Sequence, residues 1–135
     1  MTKMTRDDVL QELDRAIHLM LAGQGEAADG VANACRETAR SLGDRDLTVT
    51  CLQFLCGLAM RDGFNPVKRV AIAEELAAES PAPETLFQLA ESYQKAGRAH
   101  ESTAAMRHAQ ALLDEEERPI RLAALAHGRL RGGMH

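Results

Sequence analysis

Apolar residues recur every three or four positions through most of the chain, which is the spacing of one face of an α-helix. A first helix is predicted from about 5 to 22, with Thr5 as its N-cap and Asp7 and Asp8 in the first turn, where acids suit the positive helix end. Its apolar positions are Val9, Leu10, Leu13, Ala16, Ile17, Met20 and Leu21. Residues 23–25 break this helix, with the turn placed at Gly25, and a second helix is predicted from about 26 to 42, so the two form a hairpin.

The same pattern continues to the C-terminus and predicts a further set of helices. Pro66, Pro83 and Pro119 stand near predicted helix starts, and Gly63 and Gly97 stand just past predicted ends, which are the places that favour each residue. The five further helices are predicted at about 46 to 62, about 66 to 79, about 83 to 97, about 99 to 113 and about 118 to 130. Seven helices joined by short loops predict an all-α protein.

Composition agrees with helices. Apolar residues make up 45% of the chain but aromatic residues only 3%, so alanine and leucine, both strong helix formers, dominate the apolar set. A length of 135 residues suits one domain, and no linker divides it. We therefore expect a single helical domain over residues 1–135, without a β-sheet.

Charge and targeting signals exclude several classes of protein. The formal net charge of −4 argues against a nucleic-acid partner, which normally needs a basic surface. No apolar run approaches the ~18 residues of a membrane span, and the N-terminus lacks the order of a signal peptide. We therefore expect a cytoplasmic protein without membrane insertion. The three cysteines, Cys35, Cys51 and Cys56, form no CxxC motif and are expected to be reduced, buried thiols.

The residues that could carry chemistry do not form a known motif. His100 and His108 lie eight residues apart, but no HExxH sequence accompanies them. Cys51 and Cys56 are about 140° apart around a helix and cannot easily share a ligand. No phosphate-binding glycine loop or nucleophile motif is present. We expect no metal, no cofactor and no enzymatic activity.

The single tyrosine belongs to a pattern that occurs twice. From Leu86 the chain has Leu86-x2-Leu89-Ala90-x2-Tyr93, then Gly97, and later Ser102-x3-Met106 and Ala109. Moving 34 residues back gives Leu52, Leu55, Cys56, Ala59 and Gly63 at the corresponding places. This period and pattern resemble the tetratricopeptide-repeat family over about 49–116. An ordinary antiparallel helical bundle is the alternative.

The resemblance implies a right-handed stack of about three helical hairpins. Its best repeats would be 49–82 and 83–116, with 117–131 as a capping helix. Lys68 and Glu75 occupy places where the pattern has small apolar residues, which predicts a shifted or irregular helix there.

In this family the first helix of each hairpin lines a concave groove, which implies a set of partner-binding positions. They are Thr50, Gln53, Gly57, Met60 and Arg61, followed by Glu84, Phe87, Glu91, Gln94 and Lys95. Met60 and Phe87 would be the apolar anchors. The lysine and asparagine of a carboxylate-binding groove are missing, so an amphipathic helix is the expected partner.

The segment Pro83 to Leu113 also resembles the tetratricopeptide chaperones of bacterial type III secretion. That resemblance implies a one-to-one or ternary complex in which the protein sequesters a helix of a secreted substrate. A general scaffold of a larger assembly is the second possibility, and a small enzyme is the third. A homodimer or a heterocomplex fits the first two.

Overall fold

The computed structural model describes residues 4–62 and 65–132 and has no β-strand within these ranges. Every regular element there is an α-helix, so the predicted all-α class is confirmed. The helices of the described ranges are α1 (Arg6–Leu21), α2 (Gly25–Ser41), α3 (Arg45–Asp62), α4 (Pro66–Glu79), α5 (Pro83–Lys95) and α6 (Ala99–Gly132). None of them is long and apolar enough to cross a membrane.

The helices pack in chain order, each against the one that follows it. α1 also contacts α3, whereas no Cα atom of α3 comes within 8 Å of one in α5. Six helices that pack successively on their neighbours are compatible with a helical-repeat fold.

Buried apolar side chains form three clusters that follow the chain from α1 to α6. α4 contributes to two of these clusters. Ile72 and Leu76 lie in the cluster that α4 shares with α1, α2 and α3, and Val70 and Ala73 lie in the cluster that it shares with α5 and α6. The two sides of α4 therefore pack against different neighbours. The repeat pattern predicted burial correctly at Leu52, Leu55, Cys56, Leu86, Leu89, Ala90 and Tyr93. These positions fill the space between packed helices.

Three of the turns each contain a glycine in the left-handed backbone conformation. Gly23, Gly43 and Gly97 have φ of 79°, 69° and 76°, a region that side chains with a Cβ rarely adopt. In each turn the next residue donates its N–H to a carbonyl five residues back, as Arg98 does to Tyr93 at 2.8 Å, which closes a Schellman motif. The predicted turn at Gly25 is wrong, because Gly25 is the first residue of α2. The turn predicted at Gly63 lies outside the described residues.

The two last predicted helices are one. α6 is continuous from Ala99 to Gly132 and contains Pro119 in its interior. Proline lacks the N–H that would bond the Glu115 carbonyl, but every residue from 114 to 127 is exposed, so water can hydrate that carbonyl. The segment 117–131 is therefore not a separate capping helix, and as far as residue 127 it is not covered by the rest of the chain.

The irregularity predicted in the fourth helix is absent. α4 is a regular helix, and the two charged residues that departed from the repeat pattern reach towards α2. Lys68 Nζ lies 2.5 Å from Asp29, and Glu75 lies 2.8 Å from Arg36 and 2.6 Å from Arg40. These ion pairs join α4 to α2, a helix with which it is not consecutive in the chain.

Candidate partner-binding surface

The residues predicted to line a partner groove all lie on exposed helix faces. They are Thr50, Gln53, Gly57, Met60 and Arg61 on α3 and Glu84, Phe87, Glu91, Gln94 and Lys95 on α5. Two of them are large and apolar: Met60 is 48% exposed and Phe87 is 37% exposed. The two helices therefore each present one apolar side chain within a polar stripe.

The exposure of Phe87 follows from its place on α5. Leu86 and Leu89, which are buried against α4 and α6, lie about 100° and about 200° from it around the helix axis. The side chain of Phe87 therefore starts on the side of α5 that the neighbouring helices leave uncovered.

The α3 stripe and the α5 stripe are separated, since no Cα atom of α3 comes within 8 Å of one in α5. A buried arginine of α4 lies between them instead. Arg69 is only 6% exposed, and its Nη2 lies 3.5 Å from Glu91 Oε1 on α5. Its positive charge also acts on the thiol of Cys56 on α3. Lys95 Nζ lies 3.6 Å from the same Glu91 Oε1. Glu91 is therefore paired with both Arg69 and Lys95.

Arg69 was missed by the sequence analysis, although the sequence contains a signal for it. It stands three residues before Ile72, four before Ala73 and seven before Leu76, on the buried face of α4. A charged residue within an apolar helical face needs a partner, because an unpaired buried charge is costly. Glu91 supplies that partner, so one predicted groove residue has a structural role as well.

Thr50 has neighbours of a different kind. Its hydroxyl donates to the Asp46 carbonyl at 2.9 Å, which is a bond within its own helix. It also lines an open cleft of about 510 Å³, together with Arg45 and Glu79, where the start of α3 meets the end of α4. Arg45 Nε donates to the carbonyl of Glu79 at 2.8 Å across this cleft.

A further exposed apolar stripe lies on α1. Leu10, Ile17 and Leu21 are 41%, 37% and 70% exposed, although their spacing had assigned them to the same face as Val9 and Leu13. They share one side of the helix because they lie seven and eleven residues apart. The apolar face of α1 is therefore wider than its neighbours cover. α1, α3 and α5 therefore each carry exposed apolar side chains.

A cavity of about 390 Å³ lies between α1 and α2. Its walls include the Asp8 and Glu12 carboxylates and the buried Cys35. Asp8 accepts a hydrogen bond from the Thr5 N–H at 2.8 Å, and this bond holds the pKa of the carboxyl below its usual value. Burial raises the pKa of the Cys35 thiol, which donates to the Val9 carbonyl at 3.7 Å.

The Asp8 carboxylate therefore caps α1, and the Cys35 thiol packs in the core. Neither group is suited to proton transfer or nucleophilic attack near neutral pH. In the described ranges, no group of three or more histidine, cysteine, aspartate or glutamate side chains could hold a metal ion. His100 and His108 are exposed.

The fold defines the class of protein: an all-α chain of successively packed helices, compatible with a helical-repeat protein. No protein-family model matches the chain, and no curated protein matches it.

Proposed function

We propose that this chain is a helical-repeat protein of the tetratricopeptide type that binds a helical segment of another protein and catalyses no reaction. The observation that carries the proposal is the exposure of Phe87 at 37% on a helix whose adjacent Leu86 is buried. Aromatic residues are rare in the chain, and Phe87 is in none of the three buried clusters of the described residues. Exposed aromatic residues are frequent energetic centres of protein interfaces.

The repeat assignment is supported by burial and by the turn after α5. The tyrosine at the signature position, Tyr93, is 8% exposed and packs in the cluster formed by α4, α5 and α6. Gly97 adopts the left-handed conformation that the end of the first helix of the hairpin requires. The small residue Ala90, 1% exposed, lets the helix backbones approach closely. A right-handed stack of three hairpins is the arrangement that we propose on this basis.

The chemistry of the exposed stripes favours an amphipathic helix as the partner. Phe87 and Met60 offer apolar contact, and Leu10 and Ile17 are further exposed apolar side chains on α1. Methionine adapts its shape to different apolar partners. Glutamine and glutamate flank the apolar positions on α5, so the partner helix needs polar or basic flanks beside its apolar face.

Within this class we favour a cytoplasmic chaperone of bacterial type III secretion, on the resemblance of the segment from Pro83 to Leu113. Such a protein buries the apolar face of one secreted subunit until export, which requires binding and no turnover. A general scaffold remains the second proposal. Mass spectrometry of proteins that co-purify from the native host separates the two, because a chaperone yields one small secreted partner and a scaffold yields components of a larger assembly.

The test of the binding surface is a charge placed at the apolar anchor. Phe87→Glu is expected to weaken binding of the identified partner by about 2 kcal/mol or more, the scale of an aromatic hot spot. Val67→Glu is the matched control, because Val67 is an apolar residue that is 77% exposed on α4, outside the α3 and α5 stripes, and the substitution adds the same charge. Met60→Glu tests α3 in the same way. Circular dichroism establishes that each variant is folded.

Isothermal titration calorimetry of the partner with each folded variant decides the result. Unchanged affinity in both Phe87→Glu and Met60→Glu would show that the α3 and α5 stripes are not the binding surface.

A further inference from the structure

The cavity between α1 and α2, which we call the α1–α2 recess, lies outside the α3 and α5 stripes. Its volume of about 390 Å³ falls within the range of about 300–1,000 Å³ that is usual for small-molecule sites. The residues that form its two walls are Asp8, Gln11 and Glu12 on α1 and Val31, Ala34 and Cys35 on α2.

The two walls differ in chemistry. The wall from α1 carries two carboxylates and an amide. The wall from α2 carries Val31, Ala34 and the buried Cys35, which are three and four residues apart and therefore share one face of the helix. A molecule in the recess thus meets negative charge on one side and an apolar surface on the other.

The carboxylates of Asp8 and Glu12 lie close together. They are four residues apart on α1, so they are neighbours on the helix surface, and like charges at this spacing destabilise a helix. Burial, followed by the Glu12 carboxylate, raises the pKa of the Cys35 thiol, which indicates that Glu12 lies near the floor of the recess. A cation between the two carboxylates would relieve their repulsion.

The contacts that these carboxylates already make leave them able to bind a further donor. Asp8 Oδ2 accepts from the Thr5 N–H at 2.8 Å, and Glu12 Oε2 lies 3.2 Å from Arg15 Nη1. The Glu12 and Arg15 side chains are 40% and 62% exposed, so their ion pair is weak and readily exchanged. An ionised carboxyl group has two acceptor oxygens, and each of these contacts uses one of them.

We infer that the α1–α2 recess binds a small primary amine, with its ammonium group at Asp8 and Glu12 and its hydrocarbon body on the α2 wall. An ammonium group has three donors and no acceptor, so it suits a wall of carboxylates. Met4, which is 38% exposed, lines the same recess and can adapt its shape to the hydrocarbon body. The site is separate from the α3 and α5 stripes, so this inference does not depend on the proposed function.

The first test is a nuclear magnetic resonance titration of the full chain with hexylamine. Backbone amide shifts are expected around Asp8, Glu12 and Val31, and they should saturate with a dissociation constant of about 1 mM or tighter. Hexanol and hexanoate are the matched probes, because they have the same chain length and lack the positive charge. Both are expected to bind about tenfold more weakly or less well still.

The second test removes the charge. Glu12→Gln is expected to weaken hexylamine binding about tenfold, because the ammonium loses one charged acceptor. Glu26→Gln is the matched control, since Glu26 is exposed on α2 and does not line the recess. It should leave the affinity unchanged. Asp8 is kept, because its carboxylate caps α1.

The third test fills the recess. Ala34→Leu places a larger side chain in the α2 wall and is expected to abolish hexylamine binding, whereas Ala27→Leu, on the exposed surface of α2 outside the recess, should not. Leucine is a strong helix former, so α2 should stay intact in both variants, and circular dichroism checks this.

Alkylammonium groups occur both in free amines and in the lysine side chains of proteins. N-acetyl-lysine N-methylamide separates these sources, because it carries the same ammonium group on a peptide unit. Tighter binding of this probe than of hexylamine would identify a lysine side chain as the natural ligand, and weaker binding would identify a free amine.

Three results would overturn the inference. The first is a hexylamine titration without saturable shifts in α1 and α2. The second is equal affinity for hexylamine and hexanol, which would show that the recess does not recognise the charge. The third is an equal effect of Glu12→Gln and Glu26→Gln, which would place the bound amine elsewhere.

Discussion

The Tyr93 hydroxyl donates a hydrogen bond to Glu74 Oε2 at 2.9 Å and so ties α5 to α4. The face of the same ring lies 4.8 Å below the guanidinium carbon of Arg98, the residue that follows the hairpin turn. The only tyrosine of the chain therefore contacts the preceding helix with its hydroxyl and the turn with its ring. These two contacts account for the presence of an aromatic residue at this position in a chain that has few aromatic residues.

The first prediction concerns the ionisation of this tyrosine. Burial and then the Glu74 carboxylate raise the pKa of Tyr93 from 10.0 to about 12. The unfolded chain thus loses the phenolic proton before the folded chain does. The stability due to this shift is complete below pH 10 and falls as the pH rises towards 12.

Ultraviolet absorbance of the phenolate measures this ionisation without interference, because the chain has one tyrosine and no tryptophan. The folded chain is expected to titrate well above the chain in denaturant, and Glu74→Gln should lower the folded midpoint. A folded midpoint equal to the denatured one would contradict the buried hydrogen bond.

The second prediction compares two glycines. Neither Gly97 nor Gly30 has a neighbour within 4 Å of an added Cβ, but only Gly97 has a positive φ. Gly97→Ala is therefore expected to lower the free energy of unfolding by about 1 to 2 kcal/mol, the cost of the left-handed conformation. Gly30→Ala, inside α2, should raise it by roughly 0.5 to 1 kcal/mol. Urea denaturation of both variants gives the two values, and equal effects would be inconsistent with the turn geometry.

The third prediction concerns the ion pairs between α2 and α4. Glu75 contacts Arg36 and Arg40, and the Glu75 side chain is only 23% exposed, so Glu75→Gln is expected to cost roughly 1 kcal/mol. Glu12→Gln is the control, since the Glu12 pair with Arg15 lies within a single helix at 3.2 Å and both side chains are at least 40% exposed. The cost at Glu75 should shrink in high salt. Two indistinguishable losses in thermal denaturation would show that the α2–α4 pairs do not stabilise the stack.

The fourth prediction concerns the thiols. Burial raises the pKa of Cys51 and that of Cys56 to about 11, so both thiols are protonated and shielded near neutral pH. We expect no reaction with a thiol reagent until the chain opens, and three reactive thiols per chain in denaturant. Rapid modification of Cys51 or Cys56 in the folded chain, located by mass spectrometry, would place that residue at the surface.

The sequence by itself determined the helices and much of the core. Spacing of three and four between apolar residues is a local property, and it located α1 to α5 to within a few residues. The 34-residue spacing identified seven positions that are buried, which are Leu52, Leu55, Cys56, Leu86, Leu89, Ala90 and Tyr93. The exposure of Met60 on α3 and of Phe87 on α5 also agrees with their predicted positions away from the buried faces of these helices.

Only the tertiary structure determined which apolar and charged side chains contact another helix. Leu10 and Ile17 have the same local spacing as the core of α1, but the helices within residues 4–62 and 65–132 leave them at 41% and 37% exposure. Arg69 and Glu75 departed from the local pattern because their partners lie on other helices. Pro119 continues a helix where nothing packs against the chain and water can replace the missing bond. Periodicity fixes which side of a helix is apolar, but contacts between residues distant in the chain decide which part of that side is covered.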